Sequence, residues 1–136
     1  MRLNTLKLAA VMAAVGCAGA NAEAIDGKKP LICASFVAVS CGTDGECSSG
    51  TAQNAGLPEF FRVDLAGAAV RAARTDGSSL VTKIERTNAD DNQIVVQGSE
   101  AGRAWSATLD KSNGRMVLTV SGDREAFAVF GSCTAP

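Results

Sequence analysis

An absence narrows the chemistry open to this chain: its 136 residues contain no His and no Tyr. Without His there is no Ser-His-Asp or Cys-His arrangement, and the usual base near neutral pH is missing. The chain has no Gly-x-Ser-x-Gly and no Ser-x-x-Lys. P-loop, zincin and dinucleotide signatures are absent too. Carboxylates remain, and a pair of them can hydrolyse glycosides. Yet Asp44, Glu46, Asp76, Asp90, Asp91, Glu100, Asp110 and Asp123 fall at turn signals or on polar strand faces. They read as solvated turn residues, and the chain reads as non-enzymatic. Asp90-Asp91-Asn92, or Asp44 with Glu46, offers oxygen ligands, but neither has EF-hand spacing. No metal and no cofactor is expected.

Sulfur is the other reactive element. Cys17 lies in the N-terminal apolar stretch, leaving Cys33, Cys41, Cys47 and Cys133 for the folded part. An even count in a short exported chain implies disulfides. If residues 31–41 form one strand, Cys33 and Cys41 stand about 26 Å apart at ~3.3 Å per residue. A bridge needs Cα atoms within about 7 Å. Cys41 and Cys47 flank a Gly-Thr-Asp-Gly-Glu loop and meet easily. The favoured pairing is Cys41–Cys47 with Cys33–Cys133; Cys33–Cys47 with Cys41–Cys133 is the alternative.

Two surface stretches are candidates for recognition. The connection Gly42–Gly56 is long for a compact domain and carries Asp44 and Glu46; it either makes contacts or covers a barrel end. The stretch Gly98-Ser-Glu-Ala-Gly-Arg-Ala-Trp105 gathers Ser99, Glu100 and Arg103 beside the lone Trp. Its simpler reading is a hairpin turn followed by a core Trp.

These residues are positioned by short β-type runs separated by turn chemistry. Leu31–Ser40 is apolar on both faces, as for a strand covered on both sides. Phe60–Leu65, Ala68–Thr75, Leu80–Thr87, Gln93–Gly98, Arg103–Asp110, Arg115–Ser121 and Phe127–Cys133 follow. Val63, Ile94, Val96, Trp105, Leu109, Met116, Val120 and Val129 are among the inward positions. Asp76-Gly77 and Asn113-Gly114 are hairpin signals, the second the clearest type I′ turn. The expected fold is all-β: an antiparallel meander of about eight strands in a closed or nearly closed barrel, with a β-sandwich as the alternative. In such a barrel the first and last strands pair, and a Cys33–Cys133 bridge marks the seam. Small inward residues such as Ala72, Ala107 and Gly131 leave room for a filled core or a modest apolar cavity.

Residues 1–22 read as an export signal: Arg2 and Lys7, an apolar run Leu8–Val15, and Ala20-Asn21-Ala22 before Glu23. The apolar run is shorter than the ~20 residues of a membrane-spanning helix. Ala14-Val15-Gly16-Cys17 resembles a lipobox with Ala for the usual Leu, making lipidation of Cys17 the competing outcome. Residues 23–30 read as a flexible lead-in to a single domain over 31–136. Cleavage removes two basic residues and no acid, so the mature chain is two charges more negative than the formal −1. Charges are scattered, without a basic stripe, which argues against nucleic acid.

The pattern Leu31-Ile-Cys-Ala, Cys41-Gly, Gly45-Glu-Cys47, Phe61-Arg-Val-Asp64, Gln97-Gly, Gly102-Arg-Ala-Trp105 and Phe130-Gly-Ser-Cys133 resembles a group of small exported bacterial proteins of unknown function. That resemblance implies compartment and fold only. A looser one is to the periplasmic inhibitors of c-type lysozyme, small disulfide-bearing barrels that block the enzyme with an exposed Ser-Gly-Ala-Arg/Lys-Tyr-type loop. Ser99 and Arg103 are the positions that match; Tyr is absent here. The expectation is a binding protein for a protein or cell-envelope partner, in the periplasm or outside the cell. A carrier of a small apolar ligand and a lysozyme-inhibitor-like protein are the alternatives.

Overall fold

The computed structural model describes residues 25–74 and 76–136. The expected signal segment, the Cys17 acceptor and the Glu23 cleavage point lie outside the described residues. Ten strands form: β1 (Leu31–Gly42), β2 (Cys47–Gly50), β3 (Phe60–Asp64), β4 (Ala69–Ala73), β5 (Ser79–Lys83), β6 (Arg86–Ala89), β7 (Gln93–Glu100), β8 (Arg103–Asp110), β9 (Arg115–Ser121) and β10 (Glu125–Thr134). All pairings are antiparallel, in the order β5-β4-β3-β1-β10-β9-β8-β7-β6, with β2 added beside β1. The result is one strongly curled half-barrel sheet. A single sheet replaces the two layers that a sandwich would need.

The expected count of eight differs from the observed ten for two physical reasons. The stretch Cys41–Leu57, expected as a connection, folds back as β2 along the far half of β1. The run expected over 80–87 is cut in two because the chain changes partner there. β5 pairs with β4, and β6 pairs with β7. At the corner the Ile84 N–H donates to the Ala68 carbonyl at 2.9 Å and the Glu85 N–H to the Gln97 carbonyl at 2.8 Å. The two edges of the sheet are therefore consecutive pieces of one segment, which limits the exposed edge.

Inward alternation produces the core. Leu31, Cys33, Val63, Ile94, Val96, Leu109, Met116, Val129 and Cys133 are buried together. At one end of the curl Ile25 is 3% exposed and joins this core. Beside it Gly27 sits so close that a Cβ there would meet Leu65 Cδ1 at 3.1 Å and Ile94 Cδ1 at 3.5 Å. Ile25 and Gly27, within the segment expected as a lead-in, thus pack against that end.

The seam is as the cysteines suggest. Cys33 faces Cys133 across β1 and β10, and Cys41 faces Cys47 across β1 and β2. Both pairs are disulfide-bonded, Cys33–Cys133 with a sequence separation of 100 and Cys41–Cys47 with one of 6. Disulfides of this kind fit an oxidising compartment rather than the cytoplasm. Among the described residues no helix is long and apolar enough to cross a membrane.

One expectation about β1 fails. Its outer face is uncovered, with Ile32 40%, Phe36 60% and Val37 44% exposed. A single sheet has no second layer to cover that face, and a bulge adds to it: Ser35 pairs with Gly131 and Val37 with Phe130, leaving Phe36 as the extra residue. Two consecutive side chains then point outward, and the alternation flips so that Ala38 faces in.

Turn chemistry also differs from the reading at Asn113-Gly114. Only Gly114 has positive φ, at 74°. The Asp110 carboxylate accepts the Ser112 and Asn113 amides at 2.8 and 3.3 Å, which builds a longer connection. The successive positive-φ residues of a type I′ turn occur instead at Ala101 (51°) and Gly102 (80°).

Candidate functional site

The curl leaves an apolar cavity of about 210 Å³ toward the end opposite Ile25. Phe61 and Val63 of β3, Val70 and Ala72 of β4, and Leu80 of β5 line one side. Val96, Trp105, Ala107, Leu118 and Val120, from β7, β8 and β9, line the other. These are the inward positions of successive strands, so alternation places them there. The space exists because Ala72 and Ala107 stand where larger side chains would fill it.

Its most specific wall is Trp105. The indole N–H donates to Thr82 Oγ1 at 3.3 Å, and that hydroxyl donates to the Ser99 carbonyl at 3.2 Å. Thr82 is 8% exposed and Trp105 is 9% exposed, so this chain of bonds ties β5 to β8 and β7 across the interior. The ring lies over Gly98, its partner across β7 and β8. A Cβ at Gly98 would meet Trp105 Cζ2 at 2.5 Å and the Lys83 carbonyl closer still, so a residue without a side chain is required.

The mouth is polar. Arg74, Glu100 and Arg103 line the cavity, and both Arg residues are exposed. Arg103 forms an ion pair with Glu125 at 2.5 Å, and its guanidinium carbon lies 5.8 Å from the Phe127 ring centroid. The segment after β2 forms the roof. A short 3₁₀ turn at Gln53–Ala55 follows Ala52, which is 1% exposed. Ala55 and Leu57 pack on the core, and Gly56, Leu57 and Pro58 line the cavity.

The stretch Gly42–Gly56 therefore divides. Its second half is a cover. Its first half, residues 42–51, is a solvent-exposed hairpin held by Cys41–Cys47. Asp44 and Glu46 sit at that tip, where Asp44 Oδ1 accepts the Glu46 amide at 3.0 Å. They are not brought near the cavity. Of the turn residues expected to act together, Glu100 and Arg103 reach the mouth, whereas the Ser99 hydroxyl donates to Glu85 Oε1 at 2.6 Å. Arg74 and Thr82 were not singled out from sequence, whereas the roof falls in the stretch Gly42–Gly56 that was read as a contact element or a cover. Only the Arg position beside the Asp76-Gly77 turn, shared with strand ends elsewhere, hinted at the first.

Several aspartates hold turns. Ser78 Oγ and N–H bind Asp76 Oδ1 and lower its pKa. The Asn92 and Gln93 amides lower that of Asp90. Ser112 Oγ and N–H, then Asn113, do the same for Asp110. Among the described residues no group of three or more acidic or sulfur-bearing side chains is placed to hold a metal ion.

A half-barrel with an apolar interior and a charged mouth defines the class. No protein-family model matches the chain, and no curated protein matches it.

Proposed function

We propose that this protein is a non-enzymatic carrier that binds a small apolar molecule in its half-barrel, in the periplasm or outside the cell. The observation that carries this reading is the cavity of about 210 Å³ beside the lone Trp. An apolar cavity of roughly 150 Å³ stays dry and takes up benzene. Drug-sized ligands occupy roughly 300–1,000 Å³. The matching ligand is a single ring or a short branched chain. A polar group on it would stay at the mouth, beside Arg74, Glu100 and Arg103.

The test uses Trp105 as its probe. Iodobenzene, a small apolar heavy-atom quencher, is expected to quench the Trp fluorescence saturably, while iodide ion is excluded. Ala107→Leu adds three carbons to the cavity wall and should weaken the quenching at least tenfold. Native mass spectrometry of protein purified from cells should retain a small-molecule mass. Non-saturable quenching that is equal for iodobenzene and iodide would sink the carrier reading.

A second reading rests on the exposed, disulfide-held hairpin over residues 42–51, including Asp44 and Glu46. It is a rigid contact element for a protein or envelope partner. An envelope pull-down with wild type and Asp44→Ser/Glu46→Ser tests it, and identical captures would remove it. The lysozyme-inhibitor resemblance is tested by c-type lysozyme assay with excess protein; undiminished activity dismisses it.

A further inference from the structure

The exterior of the half-barrel is uneven. Every large apolar side chain exposed among the described residues lies on β1, β3, β5, β9 or β10, and β6, β7 and β8 contribute none. Phe36 (60%), Phe60 (61%) and Phe130 (46%) are the most prominent, and they are three of the chain's five Phe. The register makes the patch continuous. Phe60 opposes Ala34 across β3 and β1, Val37 opposes Phe130, and Phe130 opposes Val117. Outward positions on β7 and β8 carry Gln93, Gln97, Ser106 and Thr108 instead, with Val95 half-buried among them.

Charge marks the same face. Ile32 is paired with Arg62, and Arg62 is paired with Arg71. Both Arg residues are exposed, and neither forms any of the ion pairs seen among the described residues. Like charges directly opposite on neighbouring strands are unfavourable, and an anion between them would reverse the sign. Arg115, opposite Ser132, adds a third cation at the other flank of the patch. Acidic side chains on these strands are held at their ends. Asp64, the last residue of β3, accepts the Gly67 amide at 2.8 Å, and Glu125, the first of β10, pairs with Arg103.

We propose that the outer face built from Phe36, Phe60, Phe130 and Val117, with Arg62, Arg71 and Arg115, docks onto an anionic lipid surface. Aromatic rings enter the boundary between headgroups and acyl chains, to a depth of roughly 5–10 Å, while Arg residues bind lipid phosphates. The surface is the convex side of a curled sheet, and neither the apolar cavity nor the groove beside β2 is lined by these residues. A fluid interface conforms to such a face. A second copy laid on it would instead bring Arg62 and Arg71 into a surface of the same sign. A membrane-spanning barrel is a different object, since it is polar inside and apolar all round. Here Ile94, Val96, Leu109 and Val129 fill the interior.

The test is flotation of the disulfide-bonded protein with vesicles of phosphatidylglycerol and phosphatidylcholine, and with phosphatidylcholine alone. Binding is expected to the first and at least tenfold less to the second, with loss in high salt. Arg62→Gln/Arg71→Gln should lower it about tenfold or more, as should Phe36→Ser/Phe60→Ser. Both pairs are exposed, so thermal melting should not fall, which separates lost docking from lost fold. Arg86→Gln, on the polar side, should bind as wild type. No flotation with anionic vesicles in low salt, equal binding to neutral vesicles, or an Arg62→Gln/Arg71→Gln protein that binds normally each overturns the proposal. A stable dimer in ultracentrifugation whose patch amides are protected from exchange assigns the face to a second copy and overturns it too.

Discussion

Replacing Thr82 by Val tests the bond that holds the cavity's two walls together. The side chain keeps its shape and loses its hydroxyl. Trp105 Nε1–H, which donates to that oxygen at 3.3 Å, is then buried without an acceptor. The Ser99 carbonyl loses a donor at 3.2 Å, but Ser99 is exposed and water can replace it. A buried donor left unpaired costs about 1–3 kcal/mol. Bonds of 3.2–3.3 Å are longer than the usual optimum, which places the expected loss at the lower end, about 1–2 kcal/mol. In a domain of this size that lowers the melting temperature by about 4–8 °C. Thr119→Val is the control. Its hydroxyl makes the same kind of bond, to the Ser106 carbonyl at 3.3 Å, but in the open, and its change should stay within about 0.5 kcal/mol. Urea and thermal unfolding followed by Trp fluorescence measure both. Iodobenzene quenching should also weaken in Thr82→Val, because the indole is no longer held against the wall. If the two variants lose equal stability and Trp105 emission is unchanged, the bridge between β5, β7 and β8 does not hold the cavity.

The disulfides should differ in worth, because the loop of Cys33–Cys133 is far longer. On the chain-entropy account Cys33→Ala/Cys133→Ala loses about 4–5 kcal/mol and Cys41→Ala/Cys47→Ala about 2, read by urea denaturation; a larger loss from the short loop would contradict it. Gly98→Ala forces the new methyl into Trp105 and the Lys83 carbonyl. It should cost about 1–3 kcal/mol and shift Trp emission; an unchanged melt and spectrum would disprove the close approach. Asp26, Asp76, Asp90 and Asp110 have pKa values lowered in the fold by hydrogen bonds, first from the Lys28 amide, Ser78 Oγ, the Asn92 amide and Ser112 Oγ respectively. Lowered folded values mean that these turns stabilise the protein above the unfolded carboxylate range, and that the contribution fades as pH falls through the folded values. Stability should therefore decline below about pH 4, less so in Asp76→Asn/Asp110→Asn. A pH-independent melt across that range would refute the assignment.

The balance between local pattern and tertiary arrangement is clearest at particular residues. Met116 and Val120 were legible as inward because alternation has a period of two, and both are buried. Strand length kept Cys33 from Cys41 and left two pairings, of which Cys33–Cys133 with Cys41–Cys47 was favoured; the register of β1 with β10 and β2 decides for it. Trp105 as a core residue was equally legible. Phe36 was not: a bulge depends on how β1 meets β10, and nothing local distinguishes Ser-Phe-Val at a bulge from the same residues in a regular strand. The change of partner at Ile84 was hidden for the same reason. The roof was half legible: a cover was one of two readings of Gly42–Gly56, and only the fold shows that Ala52 and Leu57 turn over the interior while residues 42–51 stay exposed.

Sequence alone therefore determined the all-β class, the inward face of most strands, the exclusion of a Cys33–Cys41 bridge and the absence of His-based chemistry. Each rests on residue type or on a short-range period that the chain carries locally. Tertiary structure decided the corner that joins the two sheet edges, the cavity beside Trp105, the mouth at Arg74, Glu100 and Arg103, and the aromatic outer face flanked by Arg62 and Arg71. Those features depend on register and curl, which are set by contacts between residues far apart in the chain.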